Sequence, residues 1–295
     1  MIKSRTSVLN VVMITVFSSL FISCAAPSGM VIWASRPMID GAMQALMSET
    51  DLELARSGFE SNLKLIDGFL ELKPNDYELL TLATQGYAGY ALIYLEDQSP
   101  ARGSLIYDRS LNYGLHALSV AGYDLHATEQ SFKDFRTEVS SLKRKDINTV
   151  YWTAIAWAAK LNLNRSSIAA VTQYPRVILL MEWILDQDPN FFYSGPLWFL
   201  GSYWVSMPEM LMGGAERAKP YFDRAMKADG EEFLLGKVWM AEYYSVQVMD
   251  RKQFLSILNE VVTGSQNEPA ELRLINSYAQ SKAAMLLNKV DLIFD

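Results

Sequence analysis

The amino-acid sequence predicts an all-α protein in which antiparallel helix hairpins stack into a curved α-α superhelix. From residue 40 onward, apolar residues recur every three to four positions, which is the period of an amphipathic helix. Few stretches alternate with the two-residue period of a β-strand, and β-branched residues do not cluster. Polar turns at residues 73–75, 188–190 and 228–230 each close a helix that began about 15 residues earlier, so the helices are expected to come in pairs.

Residues 1–23 form a predicted lipoprotein signal peptide. Two basic residues precede an apolar run at residues 8–22, and small residues follow it. Cys24, the only cysteine of the chain, stands at this junction, as in bacterial lipoprotein signals in which the thiol is lipidated. Phe21 departs from the leucine that such signals favour three residues before the cysteine. A plain signal peptide with an incidental cysteine and an uncleaved anchor are the alternatives.

Residues 24–39 are predicted to be a lipidated tether, and residues 40–295 a single helical domain. After the signal, the best candidate for a membrane span is interrupted by Glu182, so the lipid is the only membrane attachment that the sequence predicts. The expected location is the periplasmic face of the cell envelope, and Ala25 slightly favours the outer membrane.

The charge of the chain excludes some partners. The formal net charge is −7, and loss of the two basic residues of the signal makes it −9. Binding to nucleic acid requires a basic face, and adhesion to anionic lipid requires basic residues as well. We therefore expect no nucleic-acid partner.

Local signals predict the individual helices. Apolar spacing predicts a helix at residues 52–72, and Asp76 can cap the next helix at residues 77–95. Pro100 suits the first position of a helix that continues through residues 101–120. Further helices are predicted at residues 131–142, 150–163 and 176–185.

The clearest hairpin lies at residues 197–225. Leu200 and Gly201 on its first helix, with Ala218 and Phe222 on its second, match the tetratricopeptide pattern. Gly201 and Ala218 should let the two helices approach closely, while Phe222 fills the space beside them. Such a hairpin cannot bury its apolar face alone and must stack on neighbours.

A series of short motifs follows in a fixed order along the second half of the chain. These are Trp152-x-x-x-Ala156-Trp157, Tyr174-Pro175-Arg176, Leu180-Met181-Glu182, Leu185-Asp186-Gln187-Asp188-Pro189, Leu200-Gly201-Ser202-Tyr203, Met207-Pro208, Gly213-Gly214, Ala218-x-x-x-Phe222-x-x-Ala225 and Val246-x-x-x-Asp250-Arg251-x-x-Phe254. The series resembles the T-component of TRAP transporters, the TatT family. The N-terminal half follows the family's order more loosely. Two positions depart from it: Ala215, where the family tends to have an acidic residue, and Trp198, where it often has histidine.

The resemblance implies a lipid-anchored periplasmic protein built from tetratricopeptide-like hairpins. It also implies a homotrimer with a pore or cleft through each subunit. The implied partner is a periplasmic solute-binding protein of the TRAP type. The implied role is to help deliver a small ligand, which can be hydrophobic, to that protein.

The sequence contains no pattern that predicts catalysis, a cofactor or a metal site. The only histidines, His116 and His126, are separated by a glycine break, and no set of Cys, His and carboxylate residues has zinc-like spacing. Nucleophile-elbow, P-loop and dinucleotide-binding motifs are absent from the sequence. We therefore expect a protein that is not an enzyme.

Residues 191–212 are unusually rich in aromatic and methionine side chains. Packing between hairpins explains part of this cluster, but its aromatic residues point to more than one helix face. A surplus aromatic face with adaptable methionines also suits an apolar pocket or a protein interface. The candidate residues for binding a ligand or partner are Tyr193, Trp198, Tyr203, Trp204, Met207 and Met210, and we expect Trp198, Tyr203 or Trp204 to line a cavity.

Two functions are therefore open at the level of sequence. The first is a transport accessory lipoprotein that docks a solute-binding protein and helps to transfer a ligand. The second is a tetratricopeptide-like envelope scaffold that mediates protein–protein interaction without a small ligand.

Overall fold

A computed structural model of the chain describes residues 28–125, 130–228, 232–264 and 269–295. The predicted signal at residues 1–23 and the predicted lipidation site Cys24 lie outside these residues. The chain divides into two compact units, Met1–Gly41 and Ala42–Asp295. The second unit holds all helices after the first.

All regular secondary structure in the described ranges is helical, which confirms the predicted all-α fold. The α-helices are α1 (Ser28–Met47), α2 (Leu52–Leu72), α3 (Tyr77–Tyr94), α4 (Pro100–Val120), α5 (Phe132–Ser141), α6 (Ile147–Leu163), α7 (Ile168–Val171), α8 (Tyr174–Gln187), α9 (Phe191–Ser206), α10 (Ala215–Ala228), α11 (Leu234–Trp239), α12 (Arg251–Thr263), α13 (Arg273–Leu287) and α14 (Val290–Phe294). A π-helical stretch, Met240–Ser245, continues α11.

Helix α1 begins inside the segment that the sequence predicted as a tether. It starts at Ser28 and contains Pro37, whereas the tether was predicted at residues 24–39. A proline inside a helix removes one backbone hydrogen bond, so Pro37 favoured the prediction of a non-helical tether. The domain boundary at residue 40 stays a prediction.

Aspartate side chains cap the starts of α2 and α3. Asp51 accepts hydrogen bonds from two backbone N–H groups at the start of α2. Asp76 accepts one from the N–H of Leu79, at 3.2 Å, and so caps α3 as predicted. Pro100 occupies the first turn of α4, also as predicted. Each cap replaces an intrahelical bond that the first turn cannot make.

The hairpin of α9 and α10 packs through the small residues that the sequence indicated. A Cβ atom on Gly201 would lie 3.0 Å from the ring of Phe222. Ala218 and Phe222 are fully buried. A larger residue at position 201 would therefore push the two helices apart. The close approach predicted for Gly201 and Ala218 is confirmed.

The buried carboxylate of Asp146 connects α3, the residues after α4 and the start of α6. Asp146 is 1% exposed and accepts hydrogen bonds from the hydroxyls of Tyr77 and Tyr123, both at 2.8 Å. The hydroxyl of Thr149 donates to that of Tyr77, also at 2.8 Å. These hydrogen bonds compensate the Asp146 carboxylate, whose burial without partners would be costly, and they fix α6 against α3.

Helix α13 returns to the helices at the start of the second unit. It packs against α11, α12 and α2. Its Tyr278 hydroxyl donates a hydrogen bond of 3.0 Å to Asp97, which lies in the turn between α3 and α4. Its Lys282 lies 3.3 Å from the same carboxylate. These contacts join residues that are far apart in sequence.

One stretch in the described residues is long and apolar enough, by length and composition alone, to cross a membrane. It is Ile168–Gln187, which comprises α7 and α8. Val177, Leu180 and Ile184 of α8 are fully buried, and α8 packs against α5, α6 and α9. We interpret α8 as a core helix of the second unit.

Candidate functional site

A cavity of the second unit lies among helices α2, α3, α6, α9, α11 and α13 and the last residues of α1, Met43 and Met47, which belong to the same unit. Its volume is about 50 Å³. One water molecule requires roughly 10–15 Å³ by this measure, so the cavity has room for several atoms of a ligand. The residues of its wall are Met43, Met47, Phe59, Gln85, Gly86, Gly89, Leu92, Ile93, Tyr151, Trp152, Ile155, Phe192, Phe233, Leu235, Trp239 and Ile275.

A glycine on α3 contributes to the open space. A Cβ atom on Gly89 would meet only the ring of Phe59, at 3.6 Å. That distance is an ordinary van der Waals contact, so the absent side chain at position 89 leaves usable volume. Because Gly89 and Phe59 both line the cavity, a bulky residue at position 89 would reduce it.

Phe192 forms one wall of the cavity together with three other aromatic rings. Its ring centroid lies 4.9 Å from that of Trp152, 5.3 Å from that of Tyr151 and 5.9 Å from that of Phe233. The rings of Trp152 and Phe233 meet it edge to face, which is a favourable geometry for aromatic pairs. Burial of Tyr151 in this cluster raises the pKa of its hydroxyl.

The backbone that carries Phe192 has an unusual conformation. Phe192, Tyr193 and Ser194 have φ angles of 45°, 52° and 61°, so three successive residues form a left-handed turn. This conformation costs roughly 1–2 kcal/mol for each residue that is not glycine. The turn persists only because the surrounding packing fixes it.

Several contacts hold this turn. The Trp198 indole N–H donates a hydrogen bond of 3.1 Å to the Tyr193 carbonyl, and the Tyr193 hydroxyl donates one of 3.0 Å to Glu271. Gly195 follows the turn, and a Cβ atom there would lie 2.8 Å from Cζ of Tyr151. Glycine at position 195 thus lets the turn lie directly against α6.

The cavity wall carries no charge. Among the wall residues that the structure describes, none is Asp, Glu, Lys, Arg or His. The polar side-chain groups of the wall are the Gln85 amide, the Tyr151 hydroxyl and the indole N–H groups of Trp152 and Trp239. The wall therefore suits a ligand that is largely apolar.

Trp198 and Trp204, the two tryptophans among the predicted binding residues, are buried in the α9–α10 hairpin. Trp198 is fully buried, and its indole packs against Gly236 of α11, where a Cβ atom would lie 2.5 Å from Cδ2. Trp204 is 8% exposed and lies under the guanidinium of Arg217, at 3.1 Å from the ring centroid. Both side chains contribute to packing of the hairpin.

The other four selected residues have partly or fully exposed side chains. Tyr203 is half-buried beside the ring of Tyr174, and Tyr193 is half-buried beside that of Phe233. Met207 is half-buried, and Met210 is 89% exposed. None of the six selected residues lines the cavity described above. Their role in binding a ligand or partner stays a prediction.

The residues of the cavity wall were not selected from the sequence, although some carried a signal. Phe192 belongs to the aromatic-rich stretch at residues 191–212, and Trp152 begins the first motif of the family resemblance. Gly86 and Gly89 stand three residues apart on α3, so they share one helix face with little side-chain volume. That spacing could have indicated a gap beside α3.

A group of charged side chains lies where α13 meets the turn after α3. Lys282 is 6% exposed and lies 3.3 Å from Asp97 and 3.4 Å from Glu242. Burial by itself lowers the pKa of Lys282, but the carboxylates of Glu242, Asp97 and Glu96 outweigh it and hold this pKa above its usual value. Burial raises the pKa of Glu242, and Lys282 partly offsets that rise.

The described part of the chain contains no group of three or more His, Cys, Asp or Glu side chains arranged to hold a metal ion.

Comparison with known proteins identifies a protein family. The family described as TRAP transporter T-component matches residues 48–294. A search of curated proteins found no match.

Proposed function

The chain belongs to the TRAP transporter T-component family, and from this premise we propose that it docks a periplasmic solute-binding protein and helps to transfer a small apolar ligand to it. Family membership makes the chain an accessory component of a TRAP transport system, and it confirms the resemblance carried by residues 152–262. The proposed role is binding and transfer, without catalysis.

The apolar cavity is the observation that carries the proposal of ligand transfer. A cavity reduces stability because the atoms around it lose contacts. A scaffold that only holds other proteins gains nothing from such a space, whereas a ligand carrier needs it. The uncharged wall supports an apolar cargo, because such a wall cannot compensate a buried charge.

The segment between α9 and α10 is our proposed docking surface for the solute-binding protein. Its Met210, Leu211 and Met212 are 89%, 56% and 74% exposed. Contiguous exposed apolar residues are typical of interaction sites, and methionines adapt to different partners. Met207 begins this segment, and Tyr203 and Tyr193 on α9 are further candidate contacts.

The attachment and assembly are also proposals. The sequence signal before Cys24 supports a lipid anchor on the periplasmic face, with the outer membrane slightly favoured, and the family resemblance supports a homotrimer. Replacement of Cys24 with serine should abolish radiolabelling with palmitate. Light scattering on the chain from residue 25 onward should give three times the monomer mass.

The docking proposal is tested by capture of a periplasmic solute-binding protein of the TRAP type. The chain from residue 25 onward should retain that protein, and Met210→Glu should weaken retention at least tenfold because it places a charge in an apolar contact. Met226→Glu is the matched control, since Met226 is an exposed methionine on α10 away from the proposed surface. Equal retention by both variants would move the docking site elsewhere.

Transfer and scaffold functions are separated by a variant that fills the cavity. Gly89→Leu places a side chain in the cavity, and Gly68→Leu makes the same change at an exposed helical glycine with no neighbour within 4 Å. Mass spectrometry of extracts should find an apolar compound with the wild type and Gly68→Leu but not with Gly89→Leu, while all three capture the partner. Capture of the partner with no apolar compound in any sample would favour the scaffold.

A further inference from the structure

The proposed docking surface between α9 and α10 is a turn whose backbone is closed by hydrogen bonds. The N–H of Gly214 donates to the Trp204 carbonyl at 2.7 Å, and the N–H of Gly213 donates to the Pro208 carbonyl at 3.1 Å. A Cβ atom at position 213 would lie 2.3 Å from the carbonyl oxygen of Met207, so the two ends of the turn touch and only glycine fits. The backbone of the docking surface is thus fixed by its own contacts, although its apolar side chains are exposed.

Met212 has an unfavourable backbone conformation in this turn. Its φ angle is 61°, in the left-handed region, which costs free energy in any residue other than glycine. Such a conformation persists only where neighbouring groups fix it. The Met212 N–H donates to the Glu209 carbonyl at 2.8 Å, and the Met212 carbonyl accepts a hydrogen bond of 2.7 Å from Nη1 of Arg217. Both polar backbone groups of Met212 therefore have partners.

Arg217 connects this carbonyl with the packed part of the hairpin. It lies near the start of α10, and its guanidinium stacks on the Trp204 indole, 3.1 Å from the ring centroid. Trp204 is buried, so the guanidinium rests on a fixed support. A planar guanidinium can stack on a ring and donate a hydrogen bond at the same time. One side chain thereby links a core ring of α9 to the exposed turn.

We infer that Arg217 is a positioning residue for docking, which holds the turn so that Met210, Leu211 and Met212 are presented together to an apolar pocket of the solute-binding protein. The inference rests on the proposed function, because it requires that this surface bind that protein. Without the bond from Arg217, the left-handed conformation of Met212 loses a stabilising contact, and the turn populates other conformations. Binding then includes the cost of ordering the turn, which lowers the affinity.

The test measures, by surface plasmon resonance, the binding of a periplasmic solute-binding protein of the TRAP type to the chain from residue 25 onward. Arg217→Met keeps much of the aliphatic side chain and removes the donor and the charge. Arg224→Met is the matched control, because Arg224 is an exposed arginine about two turns further along α10 and its replacement changes the net charge equally. Gly213→Ala disturbs the turn while Arg217 and Trp204 stay unchanged.

The expected loss appears in the two variants that disturb the turn. Arg217→Met should weaken binding about tenfold, the worth of one hydrogen bond from a charged donor. The loss should lie in the association rate, because fewer molecules have the turn in the binding conformation. Gly213→Ala should weaken binding at least as much, and Arg224→Met by less than about twofold. In the background of Met210→Ala, Arg217→Met should cost less than about threefold, because less apolar surface remains to be presented.

Hydrogen exchange of the free chain tests the positioning role without the partner. The backbone amides of residues 209–214 should exchange faster in Arg217→Met than in the wild type and in Arg224→Met, because the turn opens more often. Unchanged exchange in Arg217→Met would overturn the inference, whatever the affinity of this variant.

Two binding results would also overturn the inference and leave the docking proposal standing. One is equal affinity of Arg217→Met and Arg224→Met. The other is a loss confined to the dissociation rate and equally large in the Met210→Ala background, which would indicate that Arg217 contacts the partner directly. If the wild type captures no such protein, or if Met210→Glu binds it as tightly as the wild type, the docking surface itself is wrong and the inference fails with it.

Discussion

Lys282 is expected to stabilise the contact between the last helices and the start of the second unit. Replacement by methionine keeps most of the aliphatic chain but leaves Asp97 and Glu242 without their cation. Removal of one partner from a fully buried ion pair costs about 3–5 kcal/mol. The side chains of Asp97 and Glu242 are 35% and 26% exposed, so solvent screens part of the effect. We expect Lys282→Met to lower the free energy of unfolding by about 2–3 kcal/mol at pH 7.5.

The effect of Lys282→Met should depend on pH in a defined direction. The pKa of Lys282 is above 10.5, so its contribution is complete below pH 10.5 and is lost only as the pH rises through that raised value. The pKa of Glu242 is above 4.5, and removal of Lys282 should raise it further. In the variant, protonation of Glu242 removes a buried unpaired charge. The difference between wild type and variant should therefore shrink as the pH falls from 7.5 toward 5.

Urea denaturation followed by tryptophan fluorescence measures this difference. Lys219→Met is the control, because Lys219 forms an exposed ion pair with Asp223 on α10, which should contribute little to stability. The reasoning would be refuted by a Lys282→Met effect as small as that of the control. It would also be refuted by an effect of the same size at pH 5 and pH 7.5.

Two further predictions concern backbone positions. Gly236→Ala should lower the free energy of unfolding by about 1–3 kcal/mol in urea denaturation, because its Cβ would overlap the Trp198 indole. The control Gly68→Ala lies in open space on α2 and should raise this free energy by roughly 0.5–1 kcal/mol. Equal effects of the two substitutions would contradict the packing described for α11. Met249 is 64% exposed and has a φ angle of 54°, so Met249→Gly should raise the melting temperature by removing about 1 kcal/mol of strain, and Met249→Ala should not.

The helices were predictable because their signals are local. Asp76 and Pro100 mark helix starts by chemistry that acts within one turn, and both do so in the structure. Gly201 and Phe222 were also predictable, because a hairpin brings together residues that are close in sequence. Pro37 shows the limit of such signals, since α1 continues through a residue that usually ends a helix.

The cavity was not predictable in this way, because its wall is assembled from distant parts of the chain. Met43 and Ile275 line the same space. The Trp198 indole is buried because Gly236, which has no side chain, leaves room for it in the core. No property of residues 191–212 alone indicates that Phe192 faces the cavity while Trp198 does not. Only the packing of α11 against α9 decides between them.

The cavity and the contacts of Lys282 depend on the same long-range packing. Helix α13 supplies Ile275 to the cavity wall and Lys282 to the ion pairs, so the cavity is complete only while α13 is docked. A ligand that binds only this docked state stabilises it by mass action. At a concentration of about one hundred times its dissociation constant the gain is about 2.7 kcal/mol. This equals the loss expected from Lys282→Met, so an occupied cavity would hold α13 in place as strongly as the ion pairs do.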